Sequence, residues 1–194
     1  MTMHAEQPAA ELRPLRADAR RNRLLILDAA IAVFAEHAEA AQMDVVAARA
    51  GVGVGTLYRH FPDKEALITA VVLRRLERIA SYAGEALQIE DPWDALTTYI
   101  WRSAEDMVAE AGAREVLTRQ NPALEGAPAA LTVVERSRLL VRRAHLNGTL
   151  RKDFHEDDMR ALMCGLGETV NTAARHGRDW RRHVTFTLDG LRSK

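Results

Sequence analysis

Residues 45–71, VVAARAGVGVGTLYRHFPDKEALITAV, decide the fold of this 194-residue chain. They predict two short helices joined by a glycine turn, followed by the start of a third helix. Gly51 stands where the first of these helices must end, because glycine adopts a positive φ without steric cost. Leu57 and Phe61 lie four residues apart and make one face of the second helix apolar. Its other face is polar, and this is the helix-turn-helix arrangement that binds DNA.

The polar face of the second helix carries side chains that can reach phosphates and base edges. Taken singly, each is an ordinary exposed side chain, and the motif is what favours DNA contact. Gly55 lets a duplex approach closely, and Lys64 begins the next helix, where its charge and the free N–H groups favour a phosphate. Arg20 and Arg21 oppose the dipole of an earlier helix unless an anion is near. The predicted DNA-binding residues are Arg20, Arg21, Gly55, Thr56, Tyr58, Arg59, His60 and Lys64.

The same stretch resembles the DNA-binding signature of the TetR family of transcriptional regulators. The family pattern is matched by AGV at 50–52, GTLYRHF at 55–61 and KEAL at 64–67. The chain departs from the pattern at Gln42 and Gly53, where the family often has threonine and serine. Glutamine is a poor helix cap and glycine a weak one, so we expect a small local cost. The resemblance implies a homodimeric repressor whose two heads bind a palindromic operator and which a small molecule releases.

Composition limits the classes of protein to which the chain can belong. The net charge is zero, with 27 basic and 27 acidic residues, so any DNA contact must come from local charge placement. The single cysteine, Cys164, excludes an internal disulfide and fits a reducing cytosol, which predicts a cytoplasmic protein. No apolar run approaches the ~20 residues of a membrane span, and the N-terminus lacks an apolar signal core. We therefore expect no membrane partner.

Hydrophobic periodicity predicts an all-α chain of about nine helices, three in a DNA-binding head and about six in a bundle. The predicted divisions are a mobile tail at 1–17, a helix-turn-helix domain at 18–63 and a ligand-binding and dimerisation domain at 64–194. Asp63 caps a fourth helix that extends to about residue 87. At ~1.5 Å per residue it is long enough to leave the head and enter the bundle. We expect it to be the only rigid connection between the two parts.

The resemblance also implies a ligand cavity inside the bundle. Apolar and aromatic walls with a few polar points suit such a cavity, so we expect a largely apolar effector with one or two polar groups. For any one candidate residue, ordinary core packing is the stronger interpretation. The candidates are Trp101, Ser103, Met107, Leu117, Val141, His145 and Met163.

Small residues between 159 and 173 allow two helices to approach closely. This spacing fits internal packing or a subunit interface, and the resemblance favours the interface because similar proteins dimerise through their last two long helices. The candidate interface residues are Gly165, Thr169, Thr172, Trp180, Val184 and Leu188.

No pattern in the chain predicts an enzyme, a cofactor or a metal site. The histidines and the cysteine show neither an i,i+4 pair nor a C-x-x-C spacing. Glu105, Asp106 and Glu110 have no paired nucleophile and base, and exposed acids on helices are common. Two alternatives stay open: a DNA-binding architectural or interaction protein without a ligand, and a helical enzyme that retains a helix-turn-helix.

Overall fold

The computed structural model describes residues 12–117, 124 and 126–193, and of residues 12–16 only the backbone. These residues contain nine α-helices and no β-strand, which confirms the all-α prediction. The helices are α1 (Leu12–His37), α2 (Met43–Ala50), α3 (Val54–His60), α4 (Lys64–Ala86), α5 (Pro92–Ala109), α6 (Arg114–Leu117), α7 (Pro128–Leu146), α8 (Asp158–Arg175) and α9 (Trp180–Leu191). Two 3₁₀ turns, Ala38–Ala40 and Ala111–Ala113, precede α2 and α6.

The start and stop signals in the sequence lie where the helices begin and end. The Asp63 carboxylate accepts a hydrogen bond from the Ala66 N–H at 2.7 Å and caps α4. Gly51 closes α2 with a φ of +68°, the left-handed conformation that a glycine adopts most easily. Gln42 and Gly53 provide no side-chain cap to α2 and α3, as their side chains predict.

The N-terminal end of α1 differs from the prediction. The helix begins at Leu12, six residues before the expected start, so residues 12–17 are helical and the predicted tail is wrong for them. Pro14 lies within the first turn, where backbone N–H groups have no helical partner, and proline is tolerated there. The remainder of the predicted tail, 1–11, lies outside the described residues.

Two separate hydrophobic cores divide the molecule. The head core is formed by α1–α4 and includes Phe34, Leu57 and Phe61, each at most 2% exposed. The bundle core is formed by the second half of α4 with α5, α7, α8 and α9, and includes Leu96 and Leu140. The helix α4 joins the two, because its first turns pack in the head and its last turns in the bundle.

A second connection between head and bundle lies at the end of α5. Ala113, Val116 and Leu117 are buried in the head core, although they follow α5 in the chain. A Cβ built on Gly112 would lie 2.7 Å from the Cβ of Ala35 on α1, so backbone and helix are in close contact there. The expectation that α4 is the only rigid connection is therefore wrong. The periodicity of α4 is visible in the sequence, whereas this contact depends on a four-residue helix and a turn.

No helix in the described part of the chain is both long and apolar enough to span a bilayer.

Candidate nucleic-acid interface and bundle sites

The recognition helix α3 is held against the head by its apolar face. Leu57 is fully buried, and Phe61, which follows the helix, is 2% exposed. The guanidinium of Arg23 lies over the Phe61 ring at 4.6 Å from its centroid, which adds a cation–π contact between α1 and the end of α3. The apolar side of α3 is thus fixed, and its polar side is presented outward.

The predicted DNA-contact residues of α3 lie together on that outer side. Tyr58 is 47% exposed and Arg59 is exposed, while Thr56 and His60 are half-buried. Arg59 Nη2 donates a hydrogen bond to Thr56 Oγ1 at 2.9 Å, so these two side chains are held side by side one turn apart. The arrangement offers hydroxyl, guanidinium, phenol and imidazole groups to one external surface.

Gly55 has no neighbour that explains it. A Cβ built on this residue would meet no atom within 4 Å, and its φ is not in the left-handed region. A glycine within a helix costs stability by roughly 1 kcal/mol relative to alanine. Neither internal packing nor backbone strain therefore accounts for Gly55.

Lys64 begins α4, shortly after α3, whereas Arg20 and Arg21 belong to α1. Lys64 Nζ donates to the carbonyl oxygen of Glu39 at 2.7 Å, and Arg20 and Arg21 are exposed on α1. The bidentate pair of Arg49 and Glu36, at 2.6 and 2.7 Å, ties α2 to α1, and its hydrogen bonds lower the pKa of the Glu36 carboxyl.

A cluster of charges lies where α4 crosses α5; we call Arg75, Arg78, Asp106 and Glu110 the charged joint. Arg78 donates to both oxygens of Asp106 at 3.0 and 3.1 Å and also bonds Glu110, and Arg75 Nε lies 3.5 Å from Glu110 Oε2. The side chains of Asp106 and Glu110 are 11% and 6% exposed, so they are not the exposed acids that the sequence suggested. Burial alone lowers the pKa of the Arg78 guanidinium, but its hydrogen bonds raise that pKa above the usual value.

The cavity candidates divide between three places. Met107 and Val141 belong to the bundle core, Trp101 and Met163 pack against it, and Ser103 is buried on α5. Two other candidates lie elsewhere. Leu117 belongs to the head core because α6 packs against α4 and the 3₁₀ turn Ala38–Ala40. Half-buried His145, near the end of α7, has its Nε2 at 3.2 Å from the Arg151 carbonyl oxygen.

The bundle interior also contains polar groups that the sequence analysis did not connect. Tyr99 and Ser103 of α5 and Asn171 of α8, here called the polar trio, are each at most 2% exposed. Burial raises the pKa of Tyr99 to about 12, against an opposing contribution from the Ser103 hydroxyl. Asn171 was missed, although an amide in the apolar stripe of Leu166 and Val170 is a visible signal.

The predicted interface residues separate by helix. Gly165, Thr169 and Thr172 are exposed on α8, whereas Trp180, Val184 and Leu188 of α9 are buried in the chain's own bundle core. Those three are therefore not available to a second chain, because the apolar stripe of α9 covers α5 and α8. The outer side of α8 and α9 instead forms a groove of about 350 Å³, lined by Ala161, Leu162, Gly165, Leu166, Thr169, His183, Phe186 and Thr187.

The described residues contain no group of three or more histidine, cysteine, aspartate or glutamate side chains arranged to hold a metal ion.

Comparison with known proteins identifies the head first. The family model of bacterial regulatory proteins, tetR family, matches residues 26–71. The transcriptional repressor KstR of Mycolicibacterium smegmatis is 46% identical over 68 residues, and KstR of Rhodococcus jostii is 48% identical over 63 residues. These matches cover 34% and 32% of this chain and 33% and 30% of the relatives, so the chain spans about a third of the length of those curated relatives.

Two solved structures match nearly the whole chain. A TetR transcription regulatory protein from Mycobacterium vanbaalenii is 34% identical with a TM-score of 0.67, and the match covers 92% of this chain and 99% of that one. The regulator SCO0520 from Streptomyces coelicolor is 29% identical with a TM-score of 0.66, with coverage of 89% and 99%. The likeness therefore includes the bundle as well as the head.

Proposed function

Because this chain belongs to the TetR family of transcriptional regulators, we propose that it is a repressor that binds a palindromic operator as a homodimer and dissociates when a small, largely apolar effector binds. Residues 18–63 form the DNA-binding domain and 64–194 the effector-binding and dimerisation domain, with α4 shared between their cores. The observation that carries the DNA-binding part is the outward face of α3 with its unexplained glycine.

The proposed operator contacts follow from the geometry of α3 and its neighbours. Tyr58, His60 and Lys64 bind phosphates, and Thr56 and Arg59 reach base edges in the major groove. Gly55 leaves room for the sugar-phosphate backbone, since nothing within the protein occupies the space of its missing Cβ. Lys64 exchanges the Glu39 carbonyl for a phosphate, which is an anion and forms a stronger, charge-assisted hydrogen bond.

The proposed dimer uses the groove between α8 and α9. Phe186 is 55% exposed beside it, and Gly165 presents no side chain, so a second copy of α8 can approach closely. A two-fold axis through this surface makes the interface isologous and places two copies of α3 side by side. Half-sites then lie about one DNA turn apart, ~34–36 Å, or modestly more.

The proposed effector binds among α5, α7 and α8 and acts on the head through α4 and the turn at Gly112. An effector shifts the equilibrium only by its difference in affinity for the two head arrangements, typically 1–3 kcal/mol. Trp101, whose ring centroid lies 6.1 Å from that of Trp180, reports binding by its fluorescence.

A single substitution in the groove tests dimerisation and operator binding together. A Cβ on Gly165 meets no atom within 4 Å, so Gly165→Arg is compatible with the folded subunit but places a charge in the proposed interface. Sedimentation is expected to show a monomer that has lost high affinity for a palindromic duplex selected with the wild type. Gly126→Arg adds the same charge at an exposed turn and is expected to stay dimeric. A dimeric Gly165→Arg variant with normal affinity contradicts the proposed assembly.

A further inference from the structure

The polar trio stands out because it lies in an otherwise apolar bundle core. Tyr99 and Ser103 are one turn apart on α5 and therefore lie on the same face of that helix, and Asn171 belongs to α8, which packs against α5. Apart from Tyr99, the buried cluster of the bundle consists of leucine, isoleucine, valine, alanine and methionine with Phe154 and Trp180. The burial of three hydrogen-bonding side chains in such surroundings needs a physical explanation.

The register of the two helices places Ser103 and Asn171 at one level, with Tyr99 one turn away along α5. Met107 Sδ on α5 lies 3.1 Å from the position of a Cβ on Gly167 of α8. Earlier on α5, the Trp101 ring is tilted against the ring of Trp180, which follows the end of α8. Residues earlier in α5 thus lie near residues later in the chain, so α5 and α8 are antiparallel. Ser103 precedes Met107 by four residues and Asn171 follows Gly167 by four, a shift of ~6 Å along each axis in the same direction.

Two atoms of the trio have no hydrogen-bond partner. Asn171 Oδ1 meets no donor in hydrogen-bonding geometry within the described part of the chain. The Ser103 hydroxyl is near enough to the Tyr99 phenol to oppose the rise of its pKa, but it does not reach hydrogen-bonding geometry with the phenol or with any other described group. Buried polar atoms are normally satisfied, and an unsatisfied one opposes folding. Ser137, a buried serine on α7, shows the usual arrangement, since its hydroxyl donates to the Val134 carbonyl oxygen at 3.0 Å. Ser103 Oγ on α5 and Asn171 Oδ1 on α8 therefore lack the hydrogen-bond partner that a buried oxygen normally has, and no described residue supplies one.

We propose that Tyr99, Ser103 and Asn171 form the recognition site for a neutral effector that carries an O–H or N–H donor on an apolar body. This inference rests on the proposed effector-binding function and specifies the chemistry of its ligand. The O–H or N–H group of the effector donates a hydrogen bond to Asn171 Oδ1. The Ser103 hydroxyl can donate a hydrogen bond to the effector and accept one from it. Tyr99 supplies a further O–H, because the raised pKa of its phenol keeps it protonated at neutral pH.

The charges around the trio favour a neutral effector over a carboxylate. No lysine or arginine is fully buried among the described residues. Of the half-buried arginines at the bundle, Arg75 and Arg78 are paired with Asp106 and Glu110, and Arg114, which lies beside Gly167, is paired with Glu168. Arg136 and Arg143 donate to the backbone carbonyl oxygens of Ala80 and Leu87. A carboxylate in this interior would lose its hydration without gaining a free cation. An alcohol, phenol or primary amide loses far less and satisfies both unpaired oxygens.

Three matched probes test the proposal on the full-length dimer: para-hexylphenol, its methyl ether and para-hexylbenzoate. The ether lacks the donor and the benzoate carries a charge, while the apolar body is the same. Tryptophan fluorescence titration is expected to show that the phenol binds at least tenfold more tightly than either, a difference of about 1.4 kcal/mol. An ether that binds as tightly as the phenol, or a phenol that does not bind, overturns the proposal.

Substitutions separate a recognition role from a structural one. In Asn171→Leu and Ser103→Ala the preference for the phenol over its ether is expected to fall below about threefold, while the melting temperature of the free protein is not lowered, because an unpaired buried oxygen is removed. Ser137→Ala is the matched control: it loses a satisfied hydrogen bond, melts earlier and keeps the preference. Variants that melt earlier and keep the full preference show that the trio is structural, and the proposal is then wrong.

Operator release distinguishes failure of this site from failure of the proposed function. A phenol that binds with the expected preference but leaves operator affinity unchanged contradicts release by an effector and leaves the site intact. An unrelated compound that releases the operator equally from the wild type and from Asn171→Leu contradicts the site and leaves the proposed function intact.

Discussion

The head and the bundle differ in where their hydrogen-bonding side chains lie. In the head, Phe34, Leu57 and Phe61 close an apolar core, and the hydrogen-bonding side chains of α3 face outward. In the bundle, Tyr99, Ser103 and Asn171 are enclosed within the core. The difference matches the two binding functions that we propose: the head presents hydrogen-bonding groups to an external partner, whereas the bundle retains unsatisfied groups inside.

The two regions meet at α4 and at the turn after α5, and both connections are tight. The charged joint fixes the middle of α4 to the end of α5, and the Gly112 backbone lies against Ala35. Arg114, just beyond that turn, pairs with Glu168 of α8 at 3.1 Å. The contacts therefore connect α8 and α5 to α1 as well as to α4, and the proposed effector mechanism can use both routes.

The largest expected effect comes from breaking the charged joint. Glu110→Gln leaves Arg75 and Arg78 partly buried with one carboxylate between them, and removal of one partner from a buried ion cluster typically costs about 3–5 kcal/mol. Urea unfolding measures the loss. Glu85→Gln removes the exposed partner of Arg102 and is expected to change stability little, because water screens an exposed ion pair. Equal losses for the two variants would mean that the joint does not hold head and bundle together.

A smaller loss is expected when the second connection is overfilled. Gly112→Ala places a methyl group 2.7 Å from the Ala35 Cβ and 3.2 Å from its carbonyl oxygen, and such overpacking costs about 1–3 kcal/mol. The control Gly126→Ala meets open space and is expected to be neutral or slightly stabilising. Thermal melting of both variants measures the difference, and an unchanged Gly112→Ala protein excludes a close contact at this turn.

Gly55→Ala is expected to change stability and function in opposite directions. The added methyl group meets nothing in the protein and removes a helical glycine, so the variant gains up to about 1 kcal/mol. The same methyl group obstructs the duplex, so affinity for the selected operator falls. Melting and fluorescence anisotropy titration are measured on one preparation. A gain in stability with unaltered operator affinity would remove Gly55 from the interface.

The smallest expected effect is an acid-dependent loss at the end of the bundle. Arg151 bonds both oxygens of Asp153 at 2.6 and 2.7 Å and lowers the pKa of that carboxyl to about 2. Because the folded pKa lies below the usual value, the pair stabilises the protein fully above pH ~4 and the contribution is lost as pH falls through about 2. The wild type should exceed Asp153→Asn in urea midpoint at pH 5, and less so at pH 2.5. A difference that does not change with pH contradicts this.

The head could be predicted in detail from the sequence because the signals that define it act between residues close together in the chain. The turn at Gly51 and the cap at Asp63 each act over a few positions, so their types and spacing are sufficient. In the bundle, periodicity identified the apolar stripe of Trp180, Val184 and Leu188 but not the element that covers it. An apolar stripe has the same appearance whether it faces its own chain or a second copy.

The assignment of Leu117 to the cavity was wrong, and Asn171 was missed, for a related reason. Leu117 joins the head core only because the turn at 111–113 packs on α1 and brings α6 against α4, and no local pattern in the sequence predicts that packing. Asn171 acquires its meaning from its level on α8 relative to Ser103 on α5, which depends on how two distant helices pack. Contacts between elements far apart in the chain therefore limited the prediction of the candidate effector site.

The central claim is that the outward face of α3, with Lys64, binds operator DNA. The most direct measurement compares the wild type with Tyr58→Ala/Lys64→Ala on a palindromic duplex selected from a random pool by the wild type, over a range of salt concentrations. Lys152→Ala, which removes one exposed charge from the bundle, is the control. We predict that the folded, dimeric double variant binds at least tenfold more weakly and that its salt dependence falls by about one contact, that of Lys64, because the Tyr58 phenol is neutral; the control binds as the wild type does. Unchanged affinity and salt dependence in the double variant would contradict the account.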